Sequence, residues 1–223
     1  MAYFTQDFIV FFQELKENNH KEWFHSQKKR YESQIKNPFE AFIGALIERI
    51  QEFDPELSIS AKDCILRINR DIRFSKDKTP YNLHRTAFVS RGGRKDKSIP
   101  GLFLRLSPEH IGIMGGCFGP SKEQLQHIRH ALTQDASSFR ALIAAPDFVE
   151  KFGELKGDKM KRVPKDMREA AEQEPLLLNK QFYFSAMREA ALIPSDNLMD
   201  EIMTYWHAAK AVNTYLQTII QSA

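Results

Sequence analysis

The sequence predicts an α+β fold in a single domain spanning residues 1–223: helices first, then a central antiparallel meander, then helices again. Three observations predict it. Apolar residues recur at helical spacing up to Asp54 and again from Ser121 onward, while between them the period falls to two. The chain shows no strand–helix alternation of the kind that builds a parallel sheet. No Ser/Gly tract, Pro-rich run or low-complexity stretch marks a linker.

The first helix is carried by Phe8, Phe11, Phe12 and Leu15, with Thr5 as its N-cap and Asn18-Asn19 as its end. Asn19 followed by Glu22 predicts a capping box for the next helix, whose apolar face continues through Phe24, Tyr31 and Ile35. Pro38 restarts or kinks it. Phe39, Phe42, Ile43, Leu46, Ile47, Ile50 and Phe53 then form a wide stripe that Asp54-Pro55 ends.

Cys64, Leu66 and Ile68 alternate with Ile65, Arg67 and Asn69, which predicts a strand. Residues 85–91, 101–107 and 110–115 are expected as further strands, the last two paired through the turn Ser107-Pro108-Glu109-His110. Arg91-Gly92-Gly93-Arg94 opens an exposed loop that ends near Pro100-Gly101.

Ser121 with Gln124 is a capping signature for a helix over about 121–132. Phe139, Leu142 and Ile143 mark the next helix, and Phe148 to Leu155 a short third. Pro164 is expected in the first turn of a helix running to Glu174. Phe182 to Met187 reads as an added strand. Ser195 caps the final helix, whose stripe is Leu198, Ile202, Tyr205, Ala209, Val212, Leu216 and Ile219. The stripe lacks systematic flanking charges, so it is expected to face a core rather than a dimer partner.

With 42% hydrophobic and 27% charged residues among 223, the composition is that of an ordinary globular protein. Gln6, Asp7 and Glu14 interrupt the N-terminal apolar run, which does not read as a signal peptide. No apolar stretch approaches the ~20 residues that span a bilayer. Cys64 and Cys117 are too few for a disulfide framework or a four-ligand zinc site. Two buried free thiols in a cytoplasmic protein, with no membrane partner, are the expectation.

Charge is distributed unevenly. Net charge is +3, yet twelve basic and four acidic residues lie between Lys62 and Arg105, a local +8. The rest of the chain carries 20 basic and 25 acidic residues, or −5. The densest stretch runs from Arg67 to Asn82, RINRDIRFSKDKTPYN. Guanidinium groups match phosphate or carboxylate bidentately, and lysines and hydroxyls add donors. Arg67, Arg70, Arg73, Ser75, Lys76, Lys78 and Tyr81 are therefore candidate ligand-binding residues, with His84 as the one histidine near them. A structural network, in which Asp71 and Asp77 tie up the arginines, is the competing expectation.

A second candidate is Gly115-Gly116, where a glycine-rich turn leads into the helix headed by Ser121 and could present backbone N–H groups to an anion. The turn lacks the Gly-Lys-Ser/Thr ending of a P-loop. Ser75-x-x-Lys78 and Ser195-Asp196-Asn197 match two motifs of penicillin-binding enzymes, but Thr79-Pro80 follows the first at once and no Lys-Thr-Gly strand exists. His127 and His130 share a helix face that is expected to be solvated. Catalytic residues stay unassigned, and no metal or cofactor is expected. Trp23, Phe24 and Tyr31, interleaved with basic residues, could stack on a base, although their spacing reads first as core.

Several of these stretches together resemble a known family. Arg67 to Asn82, with Asn18-Asn19 and Trp23-Phe24 upstream, Gly115-Gly116 and Pro120 beyond, and Arg162-Val163-Pro164-Lys165 later, resembles the bacterial domain-of-unknown-function family DUF2461. The resemblance covers nearly the whole chain and departs around Met167 to Pro175, where a more polar, glycine-containing turn is expected. It implies one cytosolic α+β domain and assigns no activity or catalytic residue. The sequence favours a pocket for a small anionic ligand bearing phosphate or carboxylate. Nucleic-acid binding, which the exposed Arg91 to Lys97 loop would support, and a non-enzymatic scaffold role are the alternatives.

Overall fold

The computed structural model describes residues 2–161 and 167–221. Helices α1 (Asp7–Glu17), α2 (Lys21–Ser26), α3 (Lys28–Tyr31), α4 (Asn37–Gln51) and α5 (Ala61–Cys64) precede strands β1 (Arg85–Val89), β2 (Leu102–Leu106) and β3 (His110–Cys117). Helices α6 (Lys122–Gln134), α7 (Ala136–Ile143), α8 (Pro146–Phe152) and α9 (Arg168–Gln173), strand β4 (Phe182–Glu189) and helix α10 (Leu198–Gln221) follow. The strands form one antiparallel meander in the order β1-β2-β3-β4, between helices at both ends of the chain. The α+β expectation and all four strands of the sheet are as the period changes predict.

By its contacts the chain gathers into two compact units. The first holds residues up to Lys95, then Phe103–Ile113 and Met187–Met203; the second holds Asp96–Leu102, Met114–Ala186 and the stretch from Thr204. The first unit has a phenylalanine core. Phe4, Phe8, Phe11, Phe12, Phe39 and Phe42 are fully enclosed, and edge contacts such as Phe4–Phe8 at 4.9 Å and Phe8–Phe12 at 5.2 Å interlock them. Each such ring contributes roughly 1.5–3 kcal/mol by leaving water. Arg30 ties α3 to α1, pairing with both Asp7 and Glu14.

In the second unit, Phe148 and Phe152 of α8 pack on Phe184 of β4, at 5.0 and 4.6 Å. Phe139 of α7 stacks on Tyr215 of α10. Gly115 and Gly116 make room for β4. A Cβ on Gly115 would lie 2.5 Å from the Phe184 ring, and one on Gly116 would run into the Phe182 carbonyl oxygen. Gly116 also has φ +84°, a conformation that side chains resist.

Local chemistry explains where boundaries differ from expectation. Thr5 accepts a hydrogen bond from the Asp7 N–H at 3.3 Å, but Gln6 occupies the N-cap position of α1. The N-cap of α2 is His20, whose Nδ1 accepts from the Trp23 N–H, so the expected Asn19/Glu22 capping box does not form. Before Pro38 the helix widens into a π turn over Glu32–Lys36, closed by the Asn37 N–H on the Glu32 carbonyl. A wider turn accommodates a residue that lacks an N–H and whose ring crowds the preceding carbonyls. Phe53, expected in the α4 stripe, falls beyond the helix and is exposed.

The strand expected from Cys64 is instead a helical turn capped by Ser60, followed by extended chain. That chain pairs with neighbouring backbone at the isolated bridges Ile65↔Ala87 and Asn69↔Tyr81. The Ser121/Gln124 capping box is fully formed. Of the final helix's stripe, Leu198 through Leu216 are buried, and Ile220 rather than Ile219 closes it. Arg162, Pro164 and Lys165 lie outside the described residues.

Candidate functional site

Helices α2 to α4 and the extended segment 65–69 enclose an open groove of about 1130 Å³ in the first unit. Asn19 sets the relation between its walls. The Asn19 Nδ2 donates to the Tyr81 carbonyl at 2.9 Å, and its Oδ1 accepts from the Tyr81 N–H at 3.1 Å. One side chain thus replaces a strand neighbour for residue 81. Behind this clasp Phe24 stacks on the Tyr81 ring, centroids 4.0 Å apart and planes at 19°.

Seven cations line the groove. They are Lys21, Lys28, Lys36, Lys62, Arg67, Arg85 and Arg94, against the carboxylates Glu22, Glu32 and Glu40. Lys21 opens α2, Lys28 opens α3 and Lys36 ends the π turn, and all three line the groove. Among the described residues none of the seven forms an ion pair. Arg94 braces the wall by donating from Nη1 to the Ile65 carbonyl at 2.8 Å.

Arg85 is the unusual member. It opens β1 and is only 5% exposed. Its guanidinium lies over the Phe39 ring, 5.2 Å from the centroid, and against the Tyr31 side chain. Its Nε is buried and finds no hydrogen-bond partner among the described residues. Burial lowers the Arg85 pKa, and burial likewise raises that of Tyr31, which the Arg85 charge opposes. A buried guanidinium without a carboxylate is costly to keep, by several kcal/mol, unless something anionic or strongly accepting approaches it.

Of the residues singled out by sequence, Arg67 and Tyr81 line this groove. Arg70, Arg73, Ser75, Lys76 and Lys78 sit on the hairpin between residues 70 and 80. Arg70 donates to Asp77 at 2.5 Å and to Thr79, and Arg73 pairs with Asp71 at 2.7 Å. The Lys78 Nζ donates to the Ile72 carbonyl at 2.9 Å. Hydrogen bonds from the Thr79 N–H and then Arg70 hold the Asp77 pKa down to about 2. Lys76 is exposed, and Ser75 lies in the loop rather than at the head of a helix. His84 does not line the groove; burial and then the Arg105 and Arg85 charges lower its pKa to about 4, so it is neutral at pH 7.

Gly115 and Gly116 belong to the second unit. The Gly116 N–H donates to the Asn213 Oδ1 at 2.8 Å, and the first-turn N–H of Gln124 is taken by Ser121. That turn therefore uses its amides within the chain. Of the second basic cluster, Lys156 also lies in that unit and donates to Ser185 Oγ at 2.9 Å.

Sequence reasoning did not single out Lys21, Lys28, Lys36 or Arg85, which line the groove. One signal was available, an arginine opening the strand Arg85–Val89. The hairpin drew attention instead because its charges are adjacent along the chain.

Compared with known proteins, the sequence matches the family described as conserved hypothetical protein DUF2461 over residues 7–215, and the chain belongs to that family. No curated protein matches it.

Proposed function

We propose that this DUF2461 member binds a small anionic ligand, bearing phosphate or carboxylate, in the groove that Arg67, Arg85 and the three helical lysines line. The observation that carries the reading is Arg85: enclosed, without a carboxylate partner among the described residues, and facing a groove. Beyond its hydrogen bond with Tyr31, its Nε lacks an acceptor among the described residues, and an oxyanion supplies one. The absence of ion pairs around the other six cations supports the same reading, because a purely structural network would have matched them with acids. We place the protein in the cytoplasm on the state of Cys64 and Cys117. Both are buried free thiols whose pKa burial pushes up, to about 11 and about 12. No helix among the described residues is long and apolar enough to cross a membrane.

Thermal denaturation in phosphate, pyrophosphate, citrate and ionic-strength-matched chloride tests the proposal. An anion at about 100 times its Kd stabilises by about 2.7 kcal/mol. For a chain of this size that corresponds to roughly 5–10 °C in Tm. Arg67→Ala and Lys28→Ala change exposed side chains and should shrink the response without lowering the Tm of the unliganded protein. No rise in Tm beyond that in matched chloride, for any of the anions, ends the reading.

A further inference from the structure

The groove and the hairpin beside it are one continuous feature. Asn69 and Tyr81 both line the groove, bridge to each other and form the base of the hairpin, where the Arg70 N–H bonds the Pro80 carbonyl at 2.9 Å. Phe74, near the hairpin's tip, is 96% exposed. The Arg73 guanidinium lies 5.9 Å from its ring centroid, and Lys76 and Lys78 follow at once. Phe74 is five residues on from Asn69, at most about 17 Å of extended chain.

The groove's size and charge and the exposed ring set the ligand's class. One phosphate would occupy a small part of a groove of about 1130 Å³, and seven cations against three carboxylates, with no ion pair to any of the seven among the described residues, call for several anionic groups in a row. Small-molecule pockets typically fall at or below about 1,000 Å³ and are more enclosed. An aromatic ring left in water beside cations is the surface on which a nucleobase stacks, and base stacking beside a cationic groove is the usual way of holding a single strand. Resting on the anion-binding reading above, we propose that the groove's ligand is a short stretch of single-stranded nucleic acid. Its phosphates run past Arg67, Arg85 and the lysines, and one base stacks on Phe74.

A duplex fits less well. It needs a broad positive face, and outside residues 62–105 the chain carries 20 basic against 25 acidic residues. An anionic bilayer fits less well too, because stable membrane docking needs an apolar face much larger than one phenylalanine, and Arg85 is recessed.

Fluorescence anisotropy with labelled oligo-dT and oligo-U of about ten nucleotides tests the proposal. Expected is saturable binding whose log K falls against log salt, between about 50 and 200 mM, with a slope of about −2 to −3. That corresponds to three or four phosphates at about −0.7 each. Phe74→Ala should weaken binding by about 5- to 150-fold, one base's stacking, with unchanged Tm, because the ring makes almost no buried contact. Arg67→Ala should flatten the salt slope by about 0.7. If pyrophosphate raises Tm while the oligonucleotides bind no tighter than pyrophosphate, or Phe74→Ala binds like wild type, the single-strand inference falls and the anion site stands. If neither pyrophosphate nor oligonucleotide binds, both fall. Tighter binding to a DNA duplex, or to phosphatidylglycerol vesicles in a sedimentation assay, also overturns the inference.

Discussion

Mild acid should destabilise the protein through His84. Burial and the neighbouring Arg105 and Arg85 guanidiniums outweigh the attraction of Glu109, and the ring's pKa falls from 6.5 to about 4. His110 adds to the lowering. Between those two pH values the unfolded chain binds a proton at this ring and the folded chain does not. Stability is therefore unaffected by this group above pH 6.5 and is lost progressively as pH falls toward 4, below which both states are protonated. At 1.36 kcal/mol per pH unit, the gap sets a ceiling of about 3.4 kcal/mol. The ring is only half-buried, and solvent screening reduces the expected loss to roughly 1–2 kcal/mol. That is about 2–8 °C in Tm for a chain of this length. Urea denaturation of wild type and His84→Gln, at neutral pH and just above the folded-state pKa, measures it. The glutamine keeps a polar group of similar size and cannot titrate. If both proteins lose the same stability over this interval, the account of His84 is wrong.

Other perturbations test the framework around the groove. Asn19→Ala leaves the Tyr81 N–H and carbonyl without their partner and should cost roughly 1–3 kcal/mol in urea denaturation, with weaker pyrophosphate binding because the groove's walls lose their clasp. Gly116→Ala must hold a side chain at φ +84° and push against the Phe182 carbonyl, so a loss above about 3 kcal/mol is expected. Gly119→Ala, with nothing within 4 Å of the new Cβ, should melt like wild type and serves as its control. Arg70→Ala should lower Tm and leave pyrophosphate affinity unchanged, since Arg70 is engaged with Asp77 and Thr79. Arg67→Ala should do the reverse and weaken pyrophosphate by about tenfold, the worth of one charge-assisted hydrogen bond. Equal effects of the two variants on affinity would contradict this division of roles.

Much of the fold was legible because it is written in local patterns. The Ser121/Gln124 box, the Ser107–His110 turn and the stripe from Leu198 to Leu216 each depend on residues within a few turns of one another. What sequence could not show depends on distant partners. Asn19 reads as a cap because Glu22 lies three residues on, but the Tyr81 backbone, 62 residues away, takes its side chain, and His20 caps instead. Alternation at Cys64 to Asn69 reads as a strand, but only the isolated bridges to Ala87 and Tyr81 pair it. The same limit governed the site. Arg67 and Tyr81, singled out by sequence, line the groove, while Lys21, Lys28, Lys36 and Arg85 join them there only in the folded chain.

The two sets of cations differ in whether they are paired. Arg73 finds Asp71 two residues away, and Arg70 finds Asp77 seven residues away. Pairs so close in sequence form cheaply, because little chain entropy is lost in closing the loop, and once formed they occupy the donors that a ligand would need. A count of charges along the chain registers both partners and cannot show that they have cancelled. The groove's cations have acids as near in sequence, Glu22 beside Lys21 and Glu32 four residues from Lys28 and Lys36, yet among the described residues none of them forms an ion pair, and the Arg85 Nε is buried without a partner there. The pairing of the hairpin is then more than an alternative to function. It ties together the loop between Asn69 and Tyr81, whose base lines the groove and whose Phe74 is exposed.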